Sequence, residues 1–200
     1  MFAARSTKGI KRLSSVERAF IIISDDVKEI LVGILLGDAH IVKRSPLSNS
    51  RLVYAQTAIT HKEYFNYVYN FFKPFCAKDY IFQSRSVKDN RTKKIYSAIS
   101  FTTMQLPCFN VFKQMFYTLN VKIVPNNIHE LLTPRGLAFW IMDDGSRQGD
   151  GLHISIYAFS NKDVDKLMFT LQNKFNLKYS IHYNRDKKPL FIFSNNLWII

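Results

Sequence analysis

The sequence predicts an α+β fold built from two pseudo-symmetric halves, each a run of helix, strands, helix, strands and helix with antiparallel sheets. Three observations carry this expectation. An apolar segment that runs into a carboxylate occurs twice, as "LVGILLGDAH" from Leu31 to His40 and as "GLAFWIMDDG" from Gly136 to Gly145. The order of helix-like and strand-like patterns around the two segments is the same, and Asp144 follows Asp38 by 106 positions (144 − 38). The strand-like stretches alternate apolar and polar residues, as a sheet does when one face covers a core and the other is free.

The elements follow in order. Ser24, Asp25 or Asp26 can cap a helix that runs to about Asp38. "RLVYAQTAIT", from Arg51 to Thr60, is β-branched and aromatic enough for a strand. From His61 to Phe75 the residues Tyr64, Phe65, Val68, Phe71 and Phe72 recur at helical spacing, and Pro74 ends the run. Tyr80 to Arg85 and Ile95 to Thr103 read as a hairpin with the basic tip "SVKDNRTKK". Leu106 to Asn120 is helical again, with Pro107 placed for a first turn.

Then the order restarts. Thr133 caps a helix with Pro134 at its first position, ending near Asp144. Leu152 to Ala158 alternates, with Leu152, Ile154 and Ile156 on one face and His153, Ser155 and Tyr157 on the other. Ser160 or Asn161 caps a helix whose core stripe is Val164, Leu167, Met168 and Leu171. Leu177 to Asn184 alternates again, with Lys178, Ser180, His182 and Asn184 on the polar face, and "PLFIFS" returns after a basic turn.

Composition narrows the function. Twenty-eight Lys and Arg oppose fifteen Asp and Glu among 200 residues, a net charge of +13, and a surplus of that size favours a polyanion. Cys76 and Cys108 stand apart with no CxxC pair, which argues against a thiolate zinc site or a disulfide framework and fits a reducing interior. His40, His61 and His129 lack zinc-site spacing. No apolar run is long enough to span a bilayer, because Asp25, Asp26, Lys28 and Glu29 interrupt the nearest candidate. Residues 1–23 are basic, and read as a transit peptide that is processed off, as a DNA-touching arm or as the edge of an upstream reading frame.

The doubled segment carries the chemistry. Gly33 and Gly37 lie on one side of a helix, where the absence of Cβ lets a second backbone approach. Asp38 sits at the carboxyl end of that helix, against the dipole, so a nearby cation is expected. If the two helices pack side by side, Asp38 and Asp144 meet, and two unpaired carboxylates repel. A divalent metal between them removes that cost. An all-oxygen site selects a hard cation, Mg²⁺ first, with Mn²⁺ able to take its place. Two metal-holding carboxylates beside a basic sheet face suggest phosphodiester hydrolysis. Taken singly, each aspartate reads equally as an ordinary helix-end or turn residue.

These segments resemble the signature of the LAGLIDADG homing endonucleases, in the monomeric two-motif branch of organelle introns. Leu31 to Ala39 and Leu137 to Gly145 each place an acid at the eighth letter, Asp38 and Asp144. "VPNNIHELLTPRGLAFWIMDDG", the run Asn173 to Leu177 and the "KKP" before the last strand are similar to the omega-type mitochondrial intron endonucleases. The resemblance covers residues 24–200 and implies two subdomains, 24–125 and 126–200. It also implies saddle-shaped antiparallel sheets over a long double-stranded DNA target, and cleavage across the minor groove that leaves 3′ overhangs. An intron-encoded maturase acting on group I intron RNA, or a DNA binder that does not cut, stays open on the same scaffold. The resemblance further implies a monomer, an organellar location such as the mitochondrion, and no membrane.

By the same resemblance Lys122 and Lys188 (with Lys187 as the alternative) are charge-stabilising lysines, and Gly37, through its carbonyl, or Asp143 helps hold metal. Two departures matter. Phe139 and Asp143 stand where the first helix has Gly33 and Gly37, so the packing must be asymmetric. The sequence ends at "NNLWII", and relatives continue into a further helix, so the second half is expected to lack its last helix.

For recognition, Lys88, Arg91, Lys93 and Lys94 are expected to meet phosphates. Arg85, Tyr96, Ser100, His153, Ser155, Lys178, Ser180 and His182 are candidate base readers. An ordinary solvated sheet face shows the same alternation.

Overall fold

A computed structural model of the chain describes residues 13–78, 82–88, 93, 95–148, 151–183 and 189–193. The hairpin-tip residues Arg91 and Lys94, and Lys187 and Lys188, lie outside the described residues, as do residues 1–12 and the final "NNLWII".

The two expected sheets are present with the same topology. After a short helix α1 (Ser15–Ala19), α2 (Asp25–Leu36) leads into β1 (His40–Lys43) and β2 (Ser50–Thr57). Next come α3 (Lys62–Phe72), β3 (Gln83–Lys88), β4 (Ile95–Thr102) and α4 (Asn110–Phe116). A small hairpin, β5 (Tyr117–Thr118) and β6 (Val121–Lys122), and the one-turn α5 (Ile128–Leu131) lead to α6 (Pro134–Asp144). The second half continues with β7 (Gly145–Gln148), β8 (Gly151–Ser155), α7 (Asn161–Phe175), β9 (Tyr179–Tyr183) and β10 (Pro189–Phe193). The first sheet has the order β1-β2-β4-β3 and the second β7-β8-β10-β9, all antiparallel. Each is a strand hairpin, a helix and a second hairpin, with the third strand at the edge and the fourth inside.

Local sequence accounts for the helix boundaries. Thr133 Oγ1 accepts from Gly136 N at 3.1 Å, and Pro134 occupies the first turn of α6, as expected. Ser160 Oγ accepts from Asp163 N at 3.3 Å and starts α7. Ser24 occupies the cap position of α2 but makes no side-chain cap bond.

Four expectations need correction. β1 and β7 are strands that four-residue stretches lacking clear alternation did not announce. The helix expected to Asn120 stops at Phe116, because Leu119 and Asn120 take left-handed φ values of 50 and 65 and turn the chain back as a hairpin. The strand expected to Ala158 ends at Ser155, where a turn follows, and the one expected to Thr60 ends at Thr57.

The core is continuous across both halves, and α2 and α6 are its axis. Every residue of α2 from Ile30 to Leu36 is buried. A Cβ on Gly33 would stand 2.2 Å from the Gly136 carbonyl oxygen, and one on Gly37 would stand 2.5 Å from Asp143 Cβ. The glycines of α2 therefore accept the backbone and the larger side chains of α6. The asymmetry expected from Phe139 and Asp143 takes this form. Phe139 extends away from the crossing to α3, where its ring stacks on Tyr67 (centroids 6.0 Å apart) and meets Phe71 edge-on (6.2 Å). No helix among the described residues is long and apolar enough to cross a membrane.

Candidate active site and nucleic-acid face

Both axial helices end at an acid. α2 stops at Leu36 with Gly37 as its cap and Asp38 next, and α6 stops at Asp144 with Gly145 as its cap. The crossing at Gly33 and Gly37 brings these ends together, and the contact is direct. The Asp38 backbone N–H donates to Asp143 Oδ2 at 3.1 Å. Burial pushes the Asp144 carboxyl up to about 6, and the Asp38 charge is the next cause. Burial raises Asp38 as well, while Gln56, Lys122 and His61 pull it back.

The cation that the helix-end carboxylate demanded is Lys122. Its Nζ donates to the Gly37 carbonyl at 2.7 Å and the Ala39 carbonyl at 3.1 Å, binding the end of α2 where carbonyls lack intrahelical partners. Burial lowers its amine to about 8, and the charges of Asp144, Asp38 and Asp143 oppose that fall. At neutral pH it remains the cation of the site. The β5–β6 hairpin positions it, tied to β1 by Ile41 N–H donating to Tyr117 Oη at 2.9 Å.

A polar relay joins the acids and was not anticipated. Gln56 Nε2 donates to Asp38 Oδ2 at 2.7 Å and to Tyr54 Oη at 3.0 Å. Tyr54 Oη donates to Asp143 Oδ1 at 2.8 Å, and His61 Nδ1 lies 2.9 Å from Gln56 Oε1. The signal was in the strand: Leu52, Tyr54 and Gln56 share the core face of β2, and a glutamine buried there is an exception that requires a partner.

The relay bears on Asp143. Both its oxygens are engaged, one by Tyr54 and one by the Asp38 N–H, and burial pushes its carboxyl up to about 7. Asp143 thereby braces the crossing, and the Gly37 carbonyl, like Asp143 an expected metal ligand, accepts from Lys122.

The donor chemistry suits a hard divalent cation. Asp38 and Asp144 are oxygen donors whose charged forms are disfavoured by burial, a cost a cation offsets. Among the described residues no group of three or more His, Cys, Asp or Glu side chains is placed to hold a metal, so a cation there would complete its shell from carbonyls, phosphate or water. Cys76 and Cys108 are free, with thiols pushed up by burial to about 12 and about 11, and take no part.

Strand register sorts the candidate DNA contacts. In the first sheet Ile99, Phe101, Tyr54 and Leu52 face the core. Arg85, Tyr96 and Ser100 lie on the opposite, outer face, with Arg85 paired to Ala98 and Ser100 to Gln83. Lys88 pairs with Ile95 and so falls on the other side from Arg85. Lys93 is exposed in the turn with a left-handed φ of 59. His40 pairs with Val53 and Arg51 with Val42, which adds both to the outer face; neither was among the expected contacts.

In the second sheet Ile154, Phe191 and Phe193 face the core. His153, Ser155, Ser180 and His182 share the outer face, with His182 opposite Leu190 and Ser180 opposite Ile192. Exposed Lys178 precedes β9 in the same alternation. Ser146 and the aliphatic Leu190 and Ile192 were missed on this face.

Known proteins resemble this arrangement. The sequence profile of the LAGLIDADG DNA endonuclease family matches residues 28–197. The cytochrome b mRNA maturase bI2 of Debaryomyces hansenii is 29% identical over 88% of this chain and 67% of its own length. The chain spans 41% of the Saccharomyces cerevisiae maturase of the same name. The intron-encoded endonuclease ai4 of Dictyostelium discoideum is 35% identical over 56% of this chain and 72% of its own. Among solved structures, the homing endonuclease I-WcaI bound to its DNA recognition sequence superimposes with a TM-score of 0.81 at 22% identity, covering 94% of this chain and 85% of that one, and so has the same fold. With two like sheets, two helices crossing on glycine and an acid at each helix end, the chain belongs to the LAGLIDADG DNA endonuclease family.

Proposed function

We propose that the chain is a site-specific DNA endonuclease that makes a metal-dependent double-strand break at a long intron-insertion target. One observation carries this reading: the crossing of α2 and α6 joins two helix ends that each carry an acid, Asp38 and Asp144, 106 positions apart (144 − 38), with the Asp38 N–H bound to Asp143 and half-buried Lys122 bound to the Gly37 carbonyl. A protein that only binds gains nothing from gathering carboxylates near a phosphate backbone.

The roles follow from the geometry. Asp38 and Asp144 would hold Mg²⁺, or Mn²⁺ in its place. When bound, the cation would polarise the scissile phosphate and lower the pKa of a water. Lys122 keeps a positive charge at the end of α2, where negative charge builds up as the phosphodiester opens. Lys188 is assigned the matching role in the second half from its place before Pro189. Gln56 fixes one oxygen of Asp38. The outer faces carry Arg85, Tyr96 and Ser100 in one half and His153, Ser155, Lys178, Ser180 and His182 in the other, which suits groove edges. Lys88 and Lys93 remain candidates for phosphates beyond the sheets, and Arg91 and Lys94 share the same tip in sequence. A single chain holds both acids, so a monomer suffices. Relatives whose names place them on cytochrome b messages support an origin within an organelle intron.

The maturase relatives favour a second reading, in which the same scaffold assists the splicing of a group I intron RNA. One experiment separates the two. The protein is incubated with DNA carrying the intron-less junction, first with Mg²⁺ and then with Ca²⁺. Cleavage in the first, binding alone in the second, and loss of cleavage with retained binding in Asp38→Asn support the endonuclease. No cleavage, with faster splicing of the intron RNA, replaces it with the maturase.

A further inference from the structure

The open face of the second sheet is not uniformly polar. β10 lies inside that sheet, between β8 and β9. Phe191 and Phe193 are buried in the core, so alternation turns Leu190 and Ile192 to the opposite, outer face, where both are half-buried. Register gives each a polar neighbour on either side. Leu190 stands between Ser155 and His182, and Ile192 between His153 and Ser180. Two aliphatic side chains thus occupy the middle of a face whose flanking strands carry hydroxyls and imidazoles.

Chemistry narrows what such a pattern can meet. In the major groove of DNA every base edge offers hydrogen-bond donors or acceptors, and thymine adds a C5-methyl group. An aliphatic side chain pressed on a donor or acceptor leaves that group without water and without a partner. Pressed on a methyl group, it removes apolar surface from water on both sides. The serines and histidines beside it can then meet the thymine O4 or the paired adenine. The spacing also fits. Residues two apart on a strand are separated by about 6.7 Å, and base pairs stacked at about 3.4 Å place every second pair at nearly that interval. An RNA helix does not suit these residues, because uracil lacks the methyl group and side chains cannot read the A-form major groove.

We infer that Leu190 and Ile192 are specificity-determining residues that read thymine methyl groups, so that the half-site under the second sheet carries thymines about two base pairs apart. This rests on the endonuclease reading for its duplex target. The discrimination arises on binding, before any bond is cut, and is therefore separable from cleavage.

The test deletes the methyl groups from the DNA. Each thymine of a duplex bearing the intron-less junction is replaced in turn by deoxyuridine, which lacks only the C5-methyl group. Affinity is measured with Ca²⁺ and cleavage with Mg²⁺. Wild type is expected to bind about fourfold more weakly when either of two thymines, about two base pairs apart, is replaced. Leu190→Ala should abolish that penalty at one of the two positions and Ile192→Ala at the other, read as a double-mutant cycle between side chain and methyl group. The penalty is a ratio of two affinities, so partial loss of folded protein leaves it unchanged. Tolerance of deoxyuridine at every position by wild type, or a penalty that survives in both variants, overturns the proposal. Methyl discrimination without cleavage supports it and overturns the endonuclease reading alone. Cleavage without discrimination overturns this proposal alone, and no binding of the duplex overturns both.

Discussion

The two halves share a topology but not a chemistry. Around Asp38 the sheet turns a tyrosine and a glutamine inward, and the hydrogen bonds run from His61 through Gln56 to the acid and on through Tyr54 to Asp143. Around Asp144 the corresponding inward positions are Ile154 and Ile156, and burial dominates. The axial helices differ in the same sense. α2 offers glycines at the crossing, and α6 fills the space with Phe139 and Asp143. Pseudo-symmetry here fixes where the acids stand and leaves their support free to diverge. A single chain can keep one centre polar and let the other become part of a packed core.

Several substitutions break or sharpen this comparison. The largest effect is expected at the acids themselves. Asp38→Asn and Asp144→Asn should each lower cleavage of the strand they serve by about a thousandfold, about 4 kcal/mol at the transition state, measured in single-turnover assays. If either variant cuts both strands normally, the paired-acid centre is wrong.

Next comes the helix crossing. Phe139→Ala empties the space filled between α6 and α3 and should cost about 3–5 kcal/mol in urea denaturation. Gly33→Ala places a methyl against the Gly136 carbonyl and should cost about 1–3 kcal/mol. A neutral result at Gly33 would mean that the helices do not approach as closely as described.

Smaller still is Tyr54→Phe. It removes the hydroxyl that donates to Asp143 and accepts from Gln56, leaving buried groups short of a partner at a cost of about 1–2 kcal/mol. Its counterpart Ile154→Val loses only a methylene, about 0.5–1.5 kcal/mol. Similar denaturation midpoints for Tyr54→Phe and wild type would remove the relay from the account of stability.

The smallest effect is a pH dependence. The Asp144 carboxyl is raised by burial from 3.8 to about 6, so the folded state binds its proton more tightly than the unfolded chain. Its contribution to stability is therefore fully present below pH 4 and is lost as pH rises through about 6. In EDTA, Asp144→Asn should melt a few degrees above wild type at pH 8 and match it near pH 4, by calorimetry. A constant difference across that range would contradict the burial of this carboxylate.

Much of this was legible in the sequence, for physical reasons that differ by element. α6 was announced by Thr133 and Pro134, and α7 by Ser160, because caps are local chemistry. The doubled acids were visible because glycines at helical spacing and an anion at a helix end both oppose local preference. β1 and β7 were not visible, since four residues hold too little alternation to separate strand from turn. That omission hid His40 on the outer face, because side-chain direction in a strand depends on register. The relay was hidden for another reason. Gln56 and Asp143 are 87 positions apart (143 − 56), and only the crossing of α2 and α6 brings them into one network.

The central claim is that Asp38 and Asp144 share bound cations at the meeting of the two axial helices, with Asp143 as a brace. Its most direct test is a crystal of the protein with duplex DNA and Mn²⁺, read by anomalous scattering. The account requires manganese peaks within bonding distance of an oxygen of Asp38 and an oxygen of Asp144, with both Asp143 oxygens still held by Tyr54 and the Asp38 N–H. Manganese on Asp143 in place of Asp144, or no manganese at the helix ends in a crystal where DNA is bound, would contradict it.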